Sequence, residues 1–158
     1  MTILVAPDSF KGTYTAAEVA DNISVGIEAA GAQAIPMPVA DGGEGTLDCL
    51  RRPMGLSLVT AECRNPWGFP MMGRYGVSSD GTAVIEIAEA SGITTAHDGP
   101  RDPVTADTYG TGMLVVAAVR RGARHVVVAA GDRPPPMAAA GRSRRFTTGG
   151  SRQSRSPS

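Results

Sequence analysis

Disulfide chemistry has almost nothing to work with in this chain. Its only two cysteines, Cys49 and Cys63, fit neither a disulfide framework nor metal-ligand spacing. They read as ordinary reduced thiols of the partly buried kind. Lysine is scarcer still: of fifteen basic residues fourteen are Arg, and Lys11 stands alone. A lone ammonium among guanidiniums marks a position where a compact three-donor charge serves better than a flat fork, as phosphate can require. Long apolar runs are missing at the start, where MTILVAPDSF has no basic lead and its run stops at Pro7-Asp8. That stretch is expected to be neither signal peptide nor membrane span, and the expected compartment is the cytoplasm. The pattern G-x-x-x-x-G-K-[ST] occurs nowhere, which excludes a Walker A phosphate loop. Internal repeats are absent as well.

What is present describes a soluble domain. The 158 residues are 42% hydrophobic and 19% charged, enough for one real core. The zero net charge hides a division. Residues 1–131 hold nine Lys+Arg and fourteen Asp+Glu, a net of −5; residues 132–158 hold six Arg and one acid, Asp132, a net of +5. A basic tail can serve as a nucleic-acid arm. This one has a single Phe and scattered rather than clustered arginines.

Along residues 1–131 the pattern alternates strand and helix. TILVA (2–6) is a continuous apolar run of the buried parallel-strand type. Thr15 and Glu18 form a T-x-x-E capping box for a helix whose apolar face is Val19, Ile23 and Ile27, with Gly31 as its stop. AIPMPV (34–39) is a second strand, interrupted by proline. ADGGEGT is a glycine-rich turn leading into a short helix with acids first and arginines last. From about residue 56 to 90 the chain turns β-rich, with MMGRYGV and TAVIEIAEA flanking a hairpin turn at Asp80-Gly81. An apolar helix ending at Gly122 and the strand RHVVVAAG follow. Strand–helix–strand order at both ends implies an α/β layer around a β-rich insertion.

Three stretches carry groups suited to chemistry. APDSFKG (6–12) follows a buried strand and precedes a helix, at the carboxyl edge where α/β proteins bind ligands. Asp8, Ser9 and Lys11 there offer a carboxylate, a hydroxyl and an ammonium, a set that suits a small hydroxy-acid or a phosphate; a solvated loop is the bland alternative. In ADGGEGT (40–46) the paired glycines Gly42 and Gly43 let backbone amides approach an anion, and the helix behind adds its positive end. Asp41 and Glu44 could hold Mg²⁺ through oxygen or accept a hydroxyl proton, or the run could be an ordinary turn. TYGTG (108–112) opens a helix, where Thr111 and Gly112 suit a phosphate or carboxylate, although N-capping explains the threonines equally well. His97 and His125 have no ligand partners at metal spacing.

Taken together and in this order, ILVAPDSFKG, PVADGGEGT, GTAVIEIAEASGI, the DP before a Thr-rich loop, and YGTG closely resemble the bacterial glycerate kinase family. The resemblance covers residues 1–131, the opening part of a family-length chain. It implies an α/β fold with a Rossmann-like parallel layer and an antiparallel hairpin insertion, incomplete relative to the full family fold. It also implies an ATP- and Mg²⁺-dependent phosphotransferase acting on D-glycerate to give 2-phosphoglycerate, in a cleft between two α/β domains. On that footing Asp8, Lys11 and Asp41 are the catalytic candidates. Ser9, Gly42, Gly43, Thr111 and Gly112 would contact substrate or phosphate, and Asp41 with Glu44 would hold the metal. The implied partners are D-glycerate and ATP; neither a membrane nor a nucleic acid is expected.

The resemblance breaks after Gly131. The family continues there with a glycine-rich run of the type G-G-S-A-T-x-D-G-G, whereas this chain reads DRPPPMAAAG. A GC-rich coding of Gly-Ser-Ala-Thr-Thr-Asp-Gly-Gly-Gly is GGA TCG GCC ACC ACC GAT GGC GGC GGC. With its first G deleted it reads Asp-Arg-Pro-Pro-Pro-Met-Ala-Ala and then an Ala codon, which is the run Asp132 to Ala140. Residues 132–158 are therefore expected to be a disordered, off-frame tail, and the chain an inactive fragment. Two other readings stand beside this one. A small binder of acidic metabolites would show saturable glycerate or ATP binding without turnover. A domain with a basic nucleic-acid arm would show salt-sensitive DNA affinity that is lost with the tail.

Overall fold

The computed structural model describes residues 1–10, 12–92, 99 and 102–131; Lys11, His97 and the 132–158 tail lie outside the described residues. The opening apolar run forms β1 (Thr2–Val5), which pairs in parallel with β2 (Gln33–Pro36) as a two-stranded sheet. Between them runs α1 (Ala16–Ala29). Its first turn is closed by the expected capping box: the Thr15 hydroxyl accepts the Glu18 N–H at 3.2 Å, and the Glu18 carboxylate accepts the Thr15 N–H at 2.8 Å. The buried stripe of α1 is Ala16, Val19, Ala20 and Ser24, while Ile23 is 45% exposed. Of the expected Val19–Ile23–Ile27 face, Val19 is therefore buried, Ile27 half-buried and Ile23 exposed, so the helix is rotated toward its small residues.

The remaining strands form one mixed sheet. β3 (Ser57–Arg64), β4 (Pro70–Val77) and β5 (Thr82–Glu86) run antiparallel in turn, and β6 (His125–Ala129) adds in parallel to β5. The fold is mixed α/β, as the pattern implies, but its two parallel pairs sit in separate sheets. The β-rich stretch shares its sheet with β6 because TAVIE is apolar enough to be buried on both faces. Ala83 and Ile85 face α3 (Ala88–Ser91) and α4 (Tyr109–Arg120), in a core with Cys63, Tyr75, Ala90, Leu114 and Ala118. Val84 faces the other way, packing with Leu56 and with Leu47 of α2 (Thr46–Arg51). By the two-residue period of a strand, Glu86 continues the Val84 face.

The β4–β5 turn is built as expected around Asp80 and Gly81. The Asp80 carboxylate accepts from the Ser78 hydroxyl and from the Thr82 N–H, the latter at 2.9 Å, and Gly81 takes φ +86°. These bonds, the Ser78 hydroxyl first, hold the Asp80 carboxyl down at about 2. A carboxyl depressed in the fold stabilises above its unfolded value and loses that contribution as pH falls through the folded one. The hairpin turn is therefore expected to loosen between about pH 4 and pH 2, and Asp80→Asn to abolish that step. Amide shifts of Ser78 to Thr82 followed through an acid titration check this.

Candidate active site

The carboxyl ends of β1, β2 and β5 open onto one cleft of about 1630 Å³. Its walls come from the β1–α1 loop, the start of α1, the chain after β2, the glycine-rich turn with α2, and the β5–α3 junction. Among the described residues five carboxylate side chains line it, from Asp8, Glu18, Asp21, Glu44 and Asp48, against one guanidinium, from Arg52. Asp8, Ser9, Gly42, Gly43 and Glu44 are thus brought to one surface, as their strand-end positions suggest. Asp8 Oδ1 accepts the N–H of the adjacent Ser9 at 2.6 Å. Cys49 also reaches the cleft, its thiol pushed up by burial and then by the charges of Asp8, Asp48 and Glu86.

The other candidates are placed differently. Asp41 is exposed and is not among the cleft-lining residues; its Oδ1 accepts the Gly43 N–H at 2.7 Å and so shapes its own turn. Thr111 and Gly112 do not line the cleft either. Thr111 is buried in the first turn of α4, where its hydroxyl and that of Ser91 lie 2.8 Å apart in a hydrogen bond. Tyr109 and Gly110 of the YGTG motif pack on Arg64: the guanidinium sits 5.6 Å from the Tyr109 ring centroid, and Gly110 meets the Arg64 carbonyl. Thr111→Val is expected to cost about 1 kcal/mol through the lost buried hydrogen bond. Thr111→Ser should recover part of it, as read from urea midpoints. Among the described residues no group of three or more His, Cys, Asp or Glu side chains is placed to hold a metal ion.

Sequence reasoning missed Glu86. It is 3% exposed, and its two oxygens accept the Gly45 N–H at 3.0 Å and the Leu47 N–H at 2.8 Å. Burial pushes its carboxyl up, the two amides oppose that, and the nearby Glu89 and Asp48 add to it. The available signal was an acid inside the apolar run TAVIEIA, where a strand buried on both faces tolerates a charge only with partners. Its placement changes the reading of the glycine-rich turn. The Gly45 and Leu47 amides at the head of α2 are taken up by the protein's own carboxylate.

The geometry has a family. A model of the glycerate kinase family matches residues 3–134. The chain belongs to the glycerate kinase family. It is 40% identical over 129 residues to a glycerate kinase of Bacillus subtilis (strain 168), which covers 80% of this chain and 34% of that protein. It is 38% identical over 129 residues to glycerate 2-kinase of Escherichia coli (strain K12), with the same two shares of 80% and 34%. A crystal structure from Salmonella typhimurium LT2 bearing the provisional name glycerate kinase 2 superposes with a TM-score of 0.66 at 34% identity, over 89% of this chain and 40% of that one. The chain thus spans about a third of the length of the curated relatives it matches. Among the described residues no helix is long and apolar enough to cross a membrane.

Proposed function

We propose that this chain is the N-terminal part of an ATP-dependent glycerate 2-kinase, a cytoplasmic enzyme that moves the terminal phosphoryl group of ATP to D-glycerate and yields 2-phosphoglycerate. The observation that carries the reading is that the family match runs over the same residues that build the cleft. Phosphoryl transfer asks a protein mainly to position reactants and to neutralise charge. Asp8 and Ser9 offer a carboxylate and a hydroxyl to a hydroxy-acid, with Lys11 adjacent in sequence. Mg²⁺ takes one or two carboxylates and otherwise water and phosphate oxygen, and the exposed Asp8 and Glu44 are donors of that hard type. Asp41 could contribute to a metal or to a substrate hydroxyl only while also holding its turn. When bound, the metal would offset charge on the phosphates.

Two observations support the view that the working enzyme is larger. Leu4 and Ile35 of the two-stranded sheet are 57% and 47% exposed, and Val127 and Val128 of β6 are 46% and 45% exposed. Apolar strand residues left open in this way are normally covered. The tail reading is part of the proposal: residues 132–158 are an off-frame translation of the family's glycine-rich loop. The test is to sequence the gene across the codons for Ala129 to Gly141 and express it with one base restored. A restored chain whose product with D-glycerate and ATP is 2-phosphoglycerate by ³¹P NMR supports the whole reading. A 3-phosphate product overturns the regiochemistry. A closed second frame overturns the frameshift, and absence of any glycerate-dependent product from an open one overturns the kinase reading.

A further inference from the structure

We propose that Glu86 is the positioning residue of the cleft's glycine-rich wall, its carboxylate fixing the Gly42–Leu47 turn in register with the ends of β5 and β6. The inference deepens the glycerate kinase reading and rests on it only in treating that wall as part of a substrate cleft.

The turn's own bonds centre on Gly43, whose N–H goes to Asp41 Oδ1 and whose carbonyl accepts the Thr46 hydroxyl and N–H. Gly42 and Gly45 take φ of +94° and +91°, and neither has a Cβ to restrict the backbone. α2 is only six residues long, and its head has no side-chain cap: the N-cap position is Gly45 itself. First-turn amides have no carbonyl partner within their own helix. Glu86 supplies the partner from outside, one oxygen to Gly45 and the other to Leu47. The carboxylate is fixed because β5 is paired on both sides, antiparallel to β4 and parallel to β6.

A second clamp closes on the same turn. Glu86 is the register partner of Ala129, and the chain just beyond, Ala130 and Gly131, lies against Gly42 and Gly43. The approach is so close that a Cβ on Gly131 would fall 2.3 Å from the Gly43 Cα and amide nitrogen. One parallel strand therefore holds the turn by a carboxylate, and its neighbour holds it by backbone contact. Gly42, Gly43, Glu44 and Gly45 all line the cleft, so the place of this turn sets the shape of one wall.

Burial and the neighbouring carboxylates of Glu89 and Asp48 disfavour the Glu86 anion, and the two amides oppose them. Asp48 and Cys49 face it from α2, Glu89 from α3 and Arg74 from β4. Arg74 gives its guanidinium to Glu89, at 2.6 and 2.9 Å, and approaches Asp48 at 3.6 Å. Among the described residues Glu86 forms no ion pair, so the two amides and the positive end of α2 carry its stabilisation.

The experiment is amide hydrogen exchange by NMR on the full 158-residue chain, comparing wild type, Glu86→Gln and Glu86→Ala, with a pH titration of the wild type. Gly45 and Leu47 should be protected in the wild type. In Glu86→Gln, where one carboxylate oxygen becomes an amide donor, at least one of the two should exchange about tenfold faster or more, with the β3–β4 ladder unchanged. The Gly45 and Leu47 amide shifts should move together in the wild-type titration, with a shared midpoint above the ordinary glutamate range, and that step should vanish in Glu86→Gln. Equal exchange in wild type and Glu86→Gln, or unrelated titration of the two amides, overturns the proposal. If Glu86→Ala fails to fold, the isosteric variant and the wild-type titration still decide. None of these readings needs turnover, so their failure is distinct from failure of the kinase reading.

Discussion

Gly110→Ala is expected to destabilise the chain by about 3 kcal/mol, the upper end of what overpacking costs, and to lower its thermal midpoint by on the order of 10 °C. A Cβ at this position would lie 1.8 Å from the carbonyl oxygen of Arg64 and 2.9 Å from its carbon. The obstacle is backbone at the end of β3, paired with Pro70 across the hairpin, so it cannot swing aside as a side chain would. Relief requires α4 to lift from the sheet, which opens the core that Leu114 and Ala118 share with Cys63, Tyr75 and Ile85. Gly26→Ala makes the matched control. It lies in α1 with nothing within 4 Å of the added carbon, and alanine is the better helix former by about 1 kcal/mol. Urea midpoints of the two variants should move in opposite directions. A Gly110→Ala midpoint within error of wild type would mean that α4 does not approach β3 this closely.

The same residue shows why parts of the site were legible in the sequence and parts were not. YGTG invites a ligand reading, since glycines and threonines at a helix start suit an anion as well as they suit packing. Nothing local in the motif announces that Arg64, far away in sequence, lies across Gly110, or that Ser91 meets Thr111. Features written by neighbours in sequence were readable. The Thr15–Glu18 box and the Asp80-Gly81 turn depend on residues within a few positions of one another, and both are present. Features written by long-range pairing were not. That β6 joins β5, while β1 and β2 stand apart, depends on which apolar strand finds which, and every one of these strands is apolar enough to pair elsewhere. Glu86 belongs to the second kind, because its partners are 41 and 39 residues away. The cleft lies between. Its strand-end position followed from the order of elements, whereas the carboxylate at the head of α2 comes from Glu86, far away in sequence.

The 158-residue chain is expected to show D-glycerate-dependent release of ADP from ATP at least about 10³-fold below that of its frame-restored counterpart, since loss of even a single charge-stabilising donor costs 10²–10³ in rate. The charge of the cleft is the physical reason. Both proposed substrates are anionic, and the described walls present five carboxylates against one guanidinium. A like-charge pair about 4 Å apart near a protein surface repels by on the order of 4 kcal/mol if nothing offsets it. A bound Mg²⁺ would supply part of the balance. On the proposed reading the rest comes from the part of the family-length relatives that this chain does not match. A coupled assay at saturating ATP and Mg²⁺, with the restored chain run in parallel, measures the ratio directly. D-glycerate-dependent turnover by the 158-residue chain within tenfold of the restored one would overturn the prediction, because residues 1–131 would then suffice to offset the charge. Saturable D-glycerate binding without turnover in both chains would favour the small-metabolite binder instead. Binding strengthened by Mg²⁺ in the restored chain alone would place part of the metal-assisted binding beyond Gly131.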